Sequence, residues 1–157
     1  MGEIAEIVLI FQLFIEKPSK YMVIKNLKKN IMDKKALRPV IKTIDYEQSM
    51  NPFEQFQNTV LRPILKLQND LIMSLFANHT ANRNKGFEAM AVQQKVAWIE
   101  SLLQKDAAFR NQIIGIVFGL LEVEELYVYF SSKLELNRRI IQMTQQRIKD
   151  NLELNPS

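Results

Sequence analysis

Residues 51–78, NPFEQFQNTVLRPILKLQNDLIMSLFAN, decide the fold class. Asn51 is a good helix cap, Pro52 suits the first helical position, and Glu54, three residues past the cap, completes a capping-box start. At about 100° per residue, Phe53, Phe56, Val60, Leu61, Ile64, Leu67, Leu71, Ile72 and Leu75 share one broad face. Gln55, Thr59, Arg62, Lys66, Asn69 and Asp70 occupy the other. The pattern predicts a helix running to about Asn78. Pro63 sits in its interior, removes a backbone donor, and is expected to kink or break it.

Toward the C-terminus the same period continues. Residues 78–86 (NHTANRNKG) read as a polar loop ending in Gly. A second helix is expected over about 88–104, with Val92, Val96, Ile99, Leu102 and Leu103 inward. Asp106 is placed to cap a third, about 107–121, that is apolar on most of its circumference, which predicts a central position. Its gap is a strip of Asn111, Gln112, Gly115 and Gly119, whose small-residue spacing lets another helix approach closely. A short helix over about 123–131 carries acidic residues in its first turn, as the helix dipole prefers, and presents Tyr127, Tyr129 and Phe130. A last helix over about 132–152 puts Leu136, Ile140, Ile141, Met143, Ile148 and Leu152 on one half. Its other half holds Arg138, Arg139, Gln142, Gln145, Gln146 and Lys149.

The expected fold is all-α: a compact four-to-five-helix bundle or orthogonal helical domain over residues 51–157, with a peripheral basic N-terminal arm in 1–50. Residues 4–15 (IAEIVLIFQLFI) are apolar but fall short of the roughly 20 residues a membrane span needs. Glu3 and Glu6 speak against a secretory signal. Residues 17–42 hold nine Lys/Arg against one Asp, a net +8, so the overall +4 belongs to this segment and not to the body. Residues 39–46 (PVIKTIDY) alternate enough for a short extended piece. Met22, Met32 and Met50 are each usable starts, and everything before Met32 differs in character from the body. The expectation is that the native N-terminus lies downstream of residue 1.

Composition removes much chemistry. Without cysteine there is no disulfide or thiolate, which fits a reducing, cytoplasmic setting. The single histidine, His79, falls in the polar stretch, and no metal-ligand spacing accompanies it, so neither a metal nor a cofactor is expected. No G-x-S-x-G, Walker A or dinucleotide glycine fingerprint is present, and no catalytic residue is assigned. The balance leans away from an enzyme. Polar groups on apolar arcs are the informative exceptions. Gln57, Gln68, Arg110 and Arg147 project into them, and buried polar groups need partners. They predict either interhelix hydrogen bonds or a small-molecule pocket.

Three function classes follow. The first is a non-enzymatic interaction or scaffold protein that self-associates or binds a protein partner, through the Asn111–Gln112–Gly115–Gly119 strip and exposed Tyr127, Tyr129 and Phe130 of the short helix. The second is a small-molecule binder or enzyme using Gln57, Gln68, Arg110 and Arg147. The third binds nucleic acid or an anionic membrane through Lys25, Lys28, Lys29, Lys34, Lys35 and Arg38 within residues 17–42.

Several strings carry a resemblance: Gln57-Asn58, Leu61-Arg62-Pro63-Ile64-Leu65-Lys66, Gln68-Asn69, Phe109-Arg110-Asn111 with Gly115 and Gly119, Glu124-Glu125, and Asn137-Arg138-Arg139. Together they resemble a family of short bacterial all-helical proteins sometimes labelled "glyoxalase". The resemblance covers residues 51–152 and leaves the arm outside. It implies a helical unit of the bacterial cytoplasm. Glyoxalase chemistry uses βαβββ modules with His and Glu metal ligands, and this chain has neither that strand pattern nor those histidines, so the activity does not follow.

Overall fold

The Asn51 cap forms as the sequence predicts: its Oδ1 accepts from the Glu54 amide at 2.8 Å. Helix α1 (Pro52–Phe56) then passes into a π-helical turn, Gln57–Leu61, before α2 (Arg62–Leu67) resumes the ordinary pitch. The π turn is where Pro63 is absorbed. A proline has no N–H for the i−4 carbonyl, and its ring crowds that carbonyl. Widening the preceding turn, so that the Arg62 amide reaches back to the Gln57 carbonyl, relieves the conflict without a break. The break comes five residues later at Gln68 (φ −93°, ψ 13°). Helix α3 (Asn69–Arg83) then runs on through residues 78–83, the larger part of the stretch expected to be a polar loop, and leaves only 84–86 outside a helix.

The remaining elements follow the predicted order. A 3₁₀ turn (Phe87–Ala89) leads into α4 (Val92–Lys105), α5 (Ala107–Phe118), α6 (Val123–Ser131) and α7 (Lys133–Asn151). Asp106 caps α5 by accepting from the Phe109 amide at 2.9 Å. The computed structural model describes residues 33–42 and 51–154. With α1 and α2 joined by the π turn, the fold is all-α, six helices and no strand among the described residues. The apolar run 4–15, Lys25, Lys28, Lys29 and residues 43–46 of the 39–46 segment lie outside them.

One core forms between the helices. Leu61, Ile64 and Leu65 come from the first rod, Ile72 and Phe76 from α3, Ile99 and Leu103 from α4, Phe109, Ile113 and Val117 from α5, and Leu136, Ile140 and Ile148 from α7. Helix α7 is the element that α4, α5 and α6 all pack against. Helix α5, expected at the centre, is a flanking helix instead. Its Phe109–Ile113–Val117 ridge is buried, whereas Asn111, Gln112, Gly115, Phe118 and Gly119 are exposed. The apolar excess on α5 is surface. Along the first rod the inward stripe also shifts. Leu67 and Leu71 are exposed, and Ile72, Phe76 and Thr80 take over, because the π turn and the Gln68 break rotate the helix that follows.

Residues 34–42 belong to the same compact unit as the helices (Lys34–Ser157), although they were expected to stay peripheral. The physical reason is a latch on the α5–α6 junction. Arg38 Nη1 and Nη2 donate to the two carboxylate oxygens of Glu125 at 2.6 and 2.7 Å. Nη2 also donates to the Leu120 carbonyl at 2.6 Å. Lys34 donates its amide to Glu122 Oε1 at 2.9 Å and its ammonium to the Leu121 carbonyl at 3.0 Å. Glu125 in turn accepts from the Glu122 amide at 2.8 Å, so one carboxylate caps α6 and holds the arm.

Candidate functional site

Two rows of side chains, one on α5 and one on α7, build a groove with a mixed polar and apolar lining. Because Phe109, Ile113 and Val117 of α5 face the core, Arg110 and Ile114 lie on its flank. Because Leu136, Ile140 and Thr144 of α7 face the core, Asn137, Ile141 and Gln145 lie on its flank. These rows have i, i+4 spacing, and the C-terminal end of α4 closes the trough between them. Its volume is about 580 Å³, with Leu103, Ile114 and Ile141 among its apolar lining. Among the described residues, Arg110 and Arg138 are its only charged lining groups, and no carboxylate lines it.

Donors in this groove are partly used. Arg110 Nη1 donates to the Gln104 carbonyl and, at 3.5 Å, to that of Leu103, satisfying the last carbonyls of α4. The Tyr129 hydroxyl donates to Asn137 Oδ1 at 2.6 Å, which leaves the Asn137 amide nitrogen as a donor. Burial pushes the Tyr129 hydroxyl above its ordinary value, against the opposing effect of that bond. Arg138 is exposed and has no hydrogen bond or ion pair among the described residues.

The four polar residues singled out in the sequence do not share this groove. Gln57, in the π turn, accepts from Arg139 Nε at 2.6 Å. Gln68 is the junction residue between α2 and α3. Arg147 reaches Asn69 Oδ1 at 3.3 Å, its Nε is buried without a partner among the described residues, and burial lowers its affinity for the proton. Arg110 alone lines the groove. Three of the four thus serve helix–helix bonding or a helix junction. The groove residues Asn137, Arg138 and Gln142 were missed as a site because they look like an ordinary solvated helix face. Only the flank of α5 beside them gives them a common target.

A second cluster surrounds His79. Placed in α3 and not in a loop, it lies with Nε2 3.2 Å from Asp106 Oδ2. Its ring sits 4.9 Å from that of Phe109. Arg83 Nη1 contacts the same carboxylate oxygen at 2.9 Å. The Asp106 carboxyl is held below its usual value, chiefly by the Phe109 amide. Burial opposes that effect, and the charges of Arg83 and His79 reinforce it. Trp98, Ser101 and Lys105 line the adjoining groove of about 400 Å³. No hydrogen bond joins Ser101 to His79 among the described residues, so the pair lacks the contact that activates a hydroxyl nucleophile. The cluster is sufficient as a clasp between α3 and the α4–α5 junction. No group of three potential metal-ligating side chains occurs among the described residues.

The strip Asn111, Gln112, Gly115 and Gly119 is fully on the surface. A Cβ built at Gly115 would meet nothing within 4 Å. Beside it, Phe118 (38% exposed) and Phe130 (58%) form an edge-on pair with ring centroids 6.1 Å apart. Tyr129 is buried beneath them, contrary to its expected exposure, 5.4 Å from Phe118 and 5.6 Å from Phe130. Of the basic arm, Lys35 is exposed, whereas Arg38 and Lys34 are engaged with the α5–α6 junction. Arg38 is a buried ion-pair partner, not a solvated binding cation, because the Glu125 carboxylate needs a counter-charge. No helix among the described residues is long and apolar enough to cross a membrane.

Comparison with protein-family models, with curated proteins and with solved structures finds no match to this chain.

Proposed function

We propose that the helical domain is an interaction module that self-associates through the α5–α6 face. The observation that supports this reading is the juxtaposition of exposed Phe118 and Phe130 with the open strip at Gly115 and Gly119. Projecting rings and an exposed glycine strip lie side by side, so a two-fold pairing sets the rings of each copy against the strip of the other. Asn111, Gln112, Gly115 and Gly119 carry no charge, so the strip meets itself without like-charge repulsion. Paired exposed aromatics on one surface are the usual mark of an interface.

Magnitudes favour burial. The exposed fractions of Phe118 and Phe130 (38% and 58%) together equal nearly one whole aromatic side chain. Covering them removes about 200 Å² per copy from water, about 5 kcal/mol per copy before the cost of association. This reading is non-enzymatic, and a bacterial cytoplasmic setting accompanies it through the resemblance of residues 51–152.

Light scattering on a sizing column tests it with the full chain. The expected mass exceeds that of one 18.4 kDa chain and rises with concentration. Phe130→Asp is expected to return the protein to a monomer with unchanged helical content. A monomer at every concentration, or an oligomer indifferent to Phe130→Asp, rules out this face.

A further inference from the structure

We propose that the groove between α5 and α7 binds a small organic oxyanion, a carboxylate or phosphate monoester carried on an apolar body. This site is separate from the α5–α6 face, and its failure would leave the self-association reading standing.

The argument starts from charge. Among the described residues both charged lining groups are arginines, and no acid lies on the wall to neutralise them. A planar guanidinium presents paired N–H groups that match the two oxygens of a carboxylate or phosphate. Arg138 is exposed with no partner among the described residues, so its full fork is available. Arg110 is anchored at one nitrogen by the α4 carbonyls, which holds its position and leaves its other N–H groups for a ligand.

Neutral donors and the floor add to this. The Tyr129 hydroxyl occupies Asn137 Oδ1, so the Asn137 amide is oriented with its nitrogen as the remaining donor. Between these groups Leu103, Ile114 and Ile141 supply apolar surface. A bare inorganic ion would leave that surface uncovered, whereas an oxyanion on an aromatic or aliphatic body uses both. The volume, about 580 Å³, is that of a small-molecule site.

The test is a titration of the full chain with benzoate, phenyl phosphate and inorganic phosphate, followed by backbone and side-chain amide NMR shifts. The expected result is saturable binding of at least one organic anion. Shifts should centre on Arg110, Asn137 and Gln142, and inorganic phosphate should bind at least about tenfold more weakly, since it covers no apolar surface. The benzoate and phenyl phosphate arms separate carboxylate from phosphate preference. Arg138→Gln, which removes an exposed side chain, is expected to keep the fold and weaken binding about tenfold or more. Arg110→Lys keeps charge but loses the fork, and should also weaken it. Absence of saturation at millimolar anion overturns the proposal. So does equal binding in Arg138→Gln, or shifts centred elsewhere, including on the His79–Arg83 groove. Binding of an acidic peptide without any binding of the small anions overturns it too, in favour of a protein ligand.

Discussion

Replacing Arg38 with methionine tests whether the latch on the α5–α6 junction holds the domain together. The change keeps an unbranched apolar stem and deletes the guanidinium. Glu125, whose side chain is 9% exposed, then keeps the Glu122 amide and loses both charge-assisted bonds from Arg38. Arg38 itself is 7% exposed, so solvent screening of the pair is slight. Removing one partner of a buried pair costs about 3–5 kcal/mol, because a carboxylate is left in a poorly solvated place. With a urea m-value of about 2 kcal/mol/M, the unfolding midpoint should fall by about 1.5–2.5 M. Glu125→Gln, made alone and in the Arg38→Met background, completes a double-mutant cycle. The second change removes the stranded charge, so the double variant should be more stable than the sum of the single costs predicts, by more than about 1 kcal/mol. Urea unfolding followed by circular dichroism reads all four proteins. A midpoint within about 0.3 M of the parent for Arg38→Met, or costs that simply add, would show that the pair behaves as a screened surface contact.

Gly115→Ala should stabilise the monomer by about 0.5–1 kcal/mol, since a Cβ there meets nothing within 4 Å and helical glycine carries an entropic cost. The same change adds a methyl group to the strip on α5, so thermal unfolding should improve while the oligomer mass falls. Thr144 is fully buried with no partner for its hydroxyl among the described residues, and Thr144→Val is expected to stabilise by about 1 kcal/mol in chemical unfolding. A carboxyl whose folded value lies below its unfolded one stabilises above the unfolded value and loses that contribution as pH falls through the folded value. Asp106 is such a group, so stability should decline below about pH 4, and urea midpoints measured against pH should decline less steeply in Asp106→Asn.

Much of the helix plan was legible because it rests on local rules. The Asn51 and Asp106 caps, the helix over Val123–Ser131 and the long C-terminal helix Lys133–Asn151 follow from capping residues and a 3.6-residue apolar period. The stretch 78–83 was misread because polar composition alone suggested a loop. There the helix runs on to Arg83, burying Thr80 and bringing His79 Nε2 within 3.2 Å of Asp106, a neighbour far along the chain. The candidate groove was half legible. Arg110 stood out as a cation on an apolar helix, but Asn137 and Arg138 on a polar helix face carried no signal until α5 lay beside them.

By itself the sequence determined that this chain is helical, where most of its helices begin, and which residues form their apolar stripes, since capping and periodicity act over single turns. Tertiary structure decided which stripe is core and which is surface. Helix α5 is apolar nearly all round, but packing fully buries the Phe109–Ile113–Val117 ridge alone among its residues, half-buries Ile114 and leaves Phe118 and the glycine strip outside. It also decided that Arg38 is internal. The reason is desolvation: Glu125, buried where it caps α6, requires a cation from wherever the chain can bring one, and residues 34–38 are the segment within reach.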